Sequence, residues 1–425
     1  MNEALAEWNP WWSGKGIDSA LLGIERELTE RAEELFSFKE MKILVGLRRS
    51  GKSTLLYQFI DRLLAKGEDP KDVLFVNFED PIISGADLGE VFDHYQAEIN
   101  PDGKPHIFID EVHRCPEWVQ FLRKLYDLKK VGQVFITDSS SKLVEKEHAS
   151  ALTGRGISMT VHPLSFREYL QWNGLDRKRP FSREDGNRIK NALNVYLRWG
   201  GMPEIVLKES DLQRKTLLNN YLGDIVHKDV VERYNTDYRK IRDLVNYLVA
   251  NNGKLFSPRK YSRSCGLSLD AINTYLGHLE EVFLFRSVPV FDYSFKAQQV
   301  TPKKIYLMDT GFFGSAAFRF SEDTGHVYEN AVFLQLNRKY DELYYWKDDK
   351  GEVDFLVKER NDLTKAIQVC YDVSGARERE SKALLSCMHE FSLEEGTVIT
   401  GDLREVQEIE GKVIRYVPLW EWLLA

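Results

Sequence analysis

The chain is poor in cysteine, with four in 425 residues: Cys115, Cys265, Cys370 and Cys387. None forms a CxxC or sits with histidine at zinc-finger spacing, so a disulfide scaffold and a zinc ribbon are both excluded. Four reduced thiols in a cytoplasmic protein are the plain expectation. No run of 18 apolar residues occurs, and the amino-terminus lacks a basic stretch followed by an apolar one. Neither a membrane span nor a secretory signal is therefore expected, and no membrane partner. Positive charge is also short, 58 Lys and Arg against 66 Asp and Glu for a net charge of -8. No global field recruits nucleic acid, and such contact would need a local patch. Low-complexity tracts and repeats are absent, and 43% apolar with 29% charged residues is an ordinary globular composition. The length calls for two or three domains.

What is present is a strong alternation. From 41 to about 161, the apolar runs "MKILVG", "VLFVNF", "HIFID", "QVFIT" and "ISMTV" are separated by helical patterns such as "KSTLLYQFIDRLLAK" and "EWVQFLRKLYDLKK". Strand and helix in turn predict a parallel α/β sheet with right-handed crossovers. Residues 1–164 are expected to form this domain with an amino-terminal extension, and 165–240 a helical lid or connector. Residues 241–300 read as a winged-helix-like segment and 301–425 as a mixed α/β domain. The polar stretch "YSFKAQQVTPK" at 293–303 reads as a linker. "WNPWW" holds three of nine tryptophans in five residues; burial against the core is its expected role, with capping a ligand pocket or docking a partner as the alternatives.

"GLRRSGKST", Gly46 to Thr54, fits GxxxxGK[ST] between a strand and a helix. The expected nucleotide-binding set is Gly46, Arg49, Ser50, Gly51, Lys52, Ser53 and Thr54. The glycines let backbone N–H groups and the helix N-terminus face phosphate. Lys52 would supply charge to the β- and γ-phosphates and the Ser53 hydroxyl would bind Mg²⁺, so ATP and Mg²⁺ are the expected cofactors. "HIFIDEVHRCPEW" ends a strand in Asp110 and Glu111. Asp110 would hold the metal and Glu111 would polarise a water for attack on the γ-phosphate; two acids there could also be solvated turn residues. The next strand ends "VFITDSSSKL", placing Asp138, Ser139 and Ser140 at the sheet edge where ligands bind. Ser139 is the candidate sensor of the γ-phosphate, unless it caps a helix over "SKLVEKE".

These stretches, with "ALTGRG", "HPLSFREYL", "RWGGMPEIV", "YLGDIVHKDVVERY", "GHVYENAVFLQL" and "GEVDFLV", resemble the AAA+ superfamily of P-loop ATPases. Specifically, they resemble prokaryotic members that join an AAA domain to a C-terminal domain of unknown function with a restriction-endonuclease-like PD-(D/E)xK core. The resemblance runs from about 40 to 420, and members usually carry Gly where this chain has Asp138. It implies a homo-oligomer, a ring being one form, in which Arg155 of "LTGRG" completes a neighbour's active site, although a local salt bridge serves equally to explain it.

In the winged-helix-like segment, Lys254, Arg259, Lys260 and Arg263 precede a turn at Gly266, an N-cap at Ser268 and a helix with Ile272, Tyr275, Leu276 and Leu279 on one face. The opposite face offers Asp270, Asn273, Thr274, His278, Glu280 and Glu281, more acidic than a base-reading helix. DNA and protein both stand as candidate partners. In the nuclease-like core, the resemblance places Asp354 at the first metal position and Glu329 as an auxiliary acid, with Gln368 and Cys370 where Glu and Lys would stand. Lacking an anion and a cation, that site is expected to be inert. The expected function is Mg²⁺-dependent ATP hydrolysis coupled to recognition or remodelling of a partner. The rivals are a nucleotide-gated scaffold with little turnover and an ATP-driven nuclease.

Overall fold

The computed structural model describes residues 1–143, 152, 154–175, 183–315, 324–349, 351–373 and 377–425. They fall in two compact units, Met1–His162 with Glu281–Phe283, and Pro163–Glu280 with Leu284–Ala425.

Unit 1 is built on five parallel strands: β1 (Met41–Val45), β2 (Val73–Asn77), β3 (His106–Asp110), β4 (Val134–Asp138) and β5 (Gly156–Thr160), in the order β2-β3-β4-β1-β5. Two strands thus separate β1 from β2, and a helix lies in each of the connections from β1 to β2, β2 to β3 and β3 to β4. Side chains alternate across the sheet, so each face takes its own core. Met41, Ile43 and Val45 of β1 join Leu74, Val76, Ile107 and Ile109 beneath helices Leu88–Glu98 and Trp118–Asp127. Leu44, Phe75, Phe108 and Phe135 form the other face with Leu55, Leu56 and Phe59 of helix Lys52–Ala65. On that face Phe108 and Phe135 stack at 5.1 Å and Phe59 lies 4.9 Å from Phe135.

The outer strand β2 would expose backbone groups, a hazard for edge pairing. The tryptophan-rich stretch covers it. Asn9 accepts from Phe75 N at 2.7 Å and donates to Phe75 O at 2.8 Å, and Trp11 and Trp12 both donate to Val73 O at 2.9 Å. Trp8 donates to Asp80 at 2.8 Å.

Unit 2 begins with helices that include Phe166–Trp172, Arg183–Trp199, Asp211–Asp224 and Tyr238–Ala250. The "RWGGMPE" turn is fixed from a distance: buried Asp309 accepts from Gly201 N and Gly311 N, each at 2.8 Å. Gly200 has φ +76°, and a Cβ there would lie 1.8 Å from the Asp309 carboxylate. Next come β6 (Leu255–Phe256), helices Pro258–Cys265 and Leu269–Glu281, β7 (Phe285–Val288) and β8 (Lys303–Leu307), with β8 between β6 and β7 in an antiparallel sheet. Ser268 Oγ accepts from Ala271 N, Gly266 caps the preceding helix at φ +72°, and Ile272, Leu276 and Leu279 are buried. The acidic face is partly used internally: Glu280 accepts from Ser287 N, and His278 stacks on Tyr234 at 3.7 Å. Where the sequence reads 293–303 as a linker, the structure has a helix, Phe295–Val300, leading into β8. Its exposure explains its polar look.

The rest of unit 2 runs helix Thr324–Lys339, β9 (Glu342–Lys347), β10 (Glu352–Glu359), β11 (Asp362–Cys370), helix Arg377–Glu390, β12 (Glu395–Thr400), β13 (Glu405–Ile409) and β14 (Lys412–Pro418). The sheet order is β13-β14-β12-β11-β10-β9, with β11, β12 and β14 mutually parallel and the outer pairs antiparallel.

Candidate active site

A parallel sheet brings the carboxyl ends of its strands to one edge, and the registers Val45↔Asp138 and Ile109↔Ile136 put the ends of β1, β3 and β4 side by side. The loop after β1 turns tightly against the sheet. A Cβ on Gly46 would lie 2.3 Å from Val161 O, so only glycine fits. Arg49 (φ +68°) and Gly51 (φ +96°) take left-handed backbone before helix Lys52–Ala65 begins. Ser50 Oγ is buried without a hydrogen-bond partner.

Lys52 is buried, and its ammonium donates to Gly46 O at 3.0 Å and Leu47 O at 3.2 Å, two neutral carbonyls. The hydroxyls of Ser53 and Thr137 both bond the Asp110 carboxylate, and Thr137 Oγ1 also accepts from Glu111 N at 3.0 Å. Burial, then the Glu111 charge, push Asp110 up to about 6. Burial acts the same way on Glu111, but neighbouring His113, Lys52 and Arg48 outweigh it and hold that carboxyl at about 2. Glu111 has φ +52°, a strained setting for a non-glycine residue, of the kind that gathers at functional sites. A hydroxyl touching a carboxylate, a buried acid short of positive charge and a lysine resting on neutral oxygens fit a Mg²⁺–nucleotide.

Two residues escaped the sequence reading. Arg26, buried, donates to Ser50 O and His162 O, each at 2.9 Å, and so clasps the phosphate loop from the amino-terminal segment. His113, on the turn after β3, has Nδ1 3.3 Å from Glu111 Oε2 and 3.5 Å from Asp138 Oδ1. Arg26 carries no motif. His113 had a signal, an imidazole two residues beyond the acid pair, but its link to Asp138 emerges only once β3 and β4 are neighbours.

Ser139 and Ser140 are fully buried at the end of β4. The helix expected over "SKLVEKE" opens as a turn at Ser141–Leu143, and 144–147 lie outside the described residues. Arg155 forms a two-pronged pair with Asp127 of its own unit, Nε to Oδ1 at 2.7 Å and Nη2 to Oδ2 at 3.2 Å. Arg48 lies 3.4 Å from Glu79.

Unit 2 gathers Glu329, Asp354, Gln368 and Cys370 at the centre of its sheet, all buried. A lysine from β8 stands among them: Lys304 Nζ is 2.7 Å from Asp354, 2.8 Å from Glu352 and 3.1 Å from Glu329. Tyr306 OH donates to Glu329 at 2.6 Å. Burial lowers an ammonium's pKa, yet the carboxylates raise that of Lys304 well above its ordinary value. Glu329, pushed up by burial, is brought to about 2 chiefly by Lys304, whereas burial raises Asp354 to about 7. Gln368 Oε1 accepts from Asp354 N at 3.1 Å and its Nε2 donates to Glu380 at 2.7 Å. Cys370 Sγ lies 3.3 Å from Asp372 O.

A family model described as an AAA domain matches residues 38–170. Two domains of unknown function follow, DUF8612 over 190–323 and DUF4143 over 324–422. The chain is 30% identical over 403 residues to the uncharacterized protein MJ1544 of Methanocaldococcus jannaschii, spanning 91% of this chain and 88% of that one. It is 27% identical over 406 residues to an uncharacterized protein of Haemophilus influenzae, spanning 92% and 97%. Among solved structures, the Hsp104–ADP complex of S. cerevisiae aligns at 15% identity over 64% of this chain and 41% of that one, with a TM-score of 0.34.

Proposed function

Because the chain belongs to the family of the Methanocaldococcus jannaschii protein MJ1544 and carries an AAA domain, we propose that it binds and hydrolyses ATP at the edge of the unit 1 sheet. The observation that carries this reading is the meeting of Lys52, Ser53, Asp110 and Glu111 at the ends of β1 and β3. Lys52 would exchange its two carbonyls for the β- and γ-phosphate oxygens. Mg²⁺, held by Ser53 and Asp110, would supply charge that offsets the phosphate oxygens. Glu111, ionised at neutral pH, accepts a hydrogen bond from the attacking water and orients it. Buried Ser139 stands one residue beyond β4, near enough in the chain to serve as a γ-phosphate sensor.

Arg155 acts across a subunit boundary in a homo-oligomer, giving up Asp127 for a neighbour's phosphate. The C-terminal half is a recognition arm for a DNA or protein partner. Its order of helix, three strands, helix and strand from Thr324 to Thr400 supports a PD-(D/E)xK-like core. Lys304 and the engaged amide of Gln368 support an inert one.

Binding and turnover separate the residues. Lys52→Ala weakens ATP binding, read with a fluorescent nucleotide. Glu111→Gln still binds and turns over roughly 100-fold or more slowly. Equal turnover in Glu111→Gln sinks the assignment, and binding without multiple turnovers in the wild type favours the scaffold reading.

A further inference from the structure

Glu111 and His113 share the turn after β3, and the sheet brings Asp138, at the end of β4, beside them. Among the described residues they are the group of histidine and acidic side chains placed to hold a metal ion, with one ligand atom from each within 4.8 Å of the others. The separations are informative. His113 Nδ1 stands 3.3 Å from Glu111 Oε2 and 3.5 Å from Asp138 Oδ1. Donors about 2.0–2.1 Å from a tetrahedral ion lie roughly 3.3–3.4 Å apart.

Glu111 Oε2 is buried, and the His113 imidazole lies beside it. A buried carboxylate facing an imidazole and a second buried carboxylate is a ligand set suited to a divalent cation. Both carboxylate side chains are at least nine-tenths buried, while His113, 23% exposed, gives an ion a path from solvent.

We propose that Glu111, His113 and Asp138 form a site for a zinc-class divalent ion, four-coordinate with one water, distinct from the Mg²⁺ position at Ser53 and Asp110. Imidazole with carboxylates selects Zn²⁺ or Co²⁺ over Mg²⁺, which takes oxygen ligands and octahedral geometry. The consequence for turnover rests on the ATPase reading. A Glu111 oxygen bound to the ion no longer accepts a hydrogen bond from the attacking water, so the loaded site arrests hydrolysis. Asp138, at the end of β4, supplies the second anion.

The test needs no turnover. Nucleotide-free, chelator-stripped full-length protein is titrated with Zn²⁺ in competition with a chromophoric chelator. Co²⁺ is followed in parallel by its visible absorption. One ion per chain and the spectrum of a four-coordinate Co²⁺ are expected, both lost in His113→Gln and Asp138→Asn proteins whose thermal melts show them folded. Binding at the exposed Cys265 persists in those variants and is thereby told apart. No high-affinity ion in the wild type, or binding unchanged in both variants, overturns the site. In a second arm, Zn²⁺ added to wild-type protein in excess Mg²⁺–ATP abolishes hydrolysis. Full turnover with the site loaded overturns the arrest, and a wild type with no ATPase at all fails the earlier reading while leaving the titration decisive.

Discussion

Each unit contains a buried lysine close to buried acids, and the two lysines do different things. Lys52 rests on the carbonyls of Gly46 and Leu47 while Asp110 beside it stays short of positive charge. Lys304 rests on Asp354, Glu352 and Glu329, within 3.1 Å of each. A cation held by neutral oxygens can leave them for an anionic ligand at the cost of ordinary hydrogen bonds. One that neutralises buried carboxylates cannot leave without exposing their charge to a low-dielectric surrounding. The first arrangement is open to phosphate and metal. The second has its cation built in, on a side chain standing among the acids.

The largest effect that sharpens this contrast is on stability. Lys304→Met strands the buried Glu329 and Asp354, and should cost about 3–5 kcal/mol by urea unfolding at pH 7. Glu329, held near 2 against an ordinary 4.5, contributes stability above its ordinary pKa that is lost as the pH falls toward 2. Without Lys304 that contribution is gone, so the deficit should be full at neutral pH and narrow through the carboxylate range. A small, pH-independent deficit would mean Lys304 is not the compensating charge.

Arg26→Ala comes next. It removes two charge-assisted hydrogen bonds that hold the phosphate loop, costing about 2–3 kcal/mol in unfolding and weakening ATP binding as well. Stability lost with affinity intact would show that the loop keeps its shape alone.

Gln368→Glu should cost about 1–2 kcal/mol, because the new carboxylate faces Glu380 in place of an amide donor. Neither this change nor its combination with Cys370→Lys should yield nuclease activity while Lys304 is present. Cleavage of DNA by the wild type that disappears in Asp354→Ala would break the comparison outright.

The smallest structural effect belongs to Arg155→Ala, which removes an exposed pair and should leave the melting temperature unchanged. Its functional effect should appear on mixing. Inactive Arg155→Ala and inactive Glu111→Gln chains together recover part of the turnover. Failure to complement, with subunit exchange demonstrated, leaves Arg155 as a brace on Asp127.

The parts of the candidate site in unit 1 were legible because they are local. Gly46 to Thr54 is one continuous loop between strand and helix, and Asp110 with Glu111 ends an apolar strand. Arg26 was not legible, because its partners Ser50 and His162 lie 24 and 136 residues away and no pattern marks the arginine. Lys304 was hidden differently. In "TPKKIYLM" either lysine could face inward, and only the pairing of β8 between β6 and β7 decides it. Period two then puts Lys304 and Tyr306 on one face, where both reach Glu329. The strand also sits just past a stretch read as a linker, so its neighbours in space were not the ones expected.

The central claim is that unit 1 holds the working site and the unit 2 cluster a closed one. Steady-state ATP hydrolysis by wild-type, Lys52→Ala and Asp354→Asn proteins, each verified as folded, tests it most directly. The account predicts multiple turnovers in the wild type, their loss in Lys52→Ala, and a rate within about twofold of wild type in Asp354→Asn. Turnover that survives Lys52→Ala, or that vanishes in Asp354→Asn, would contradict it.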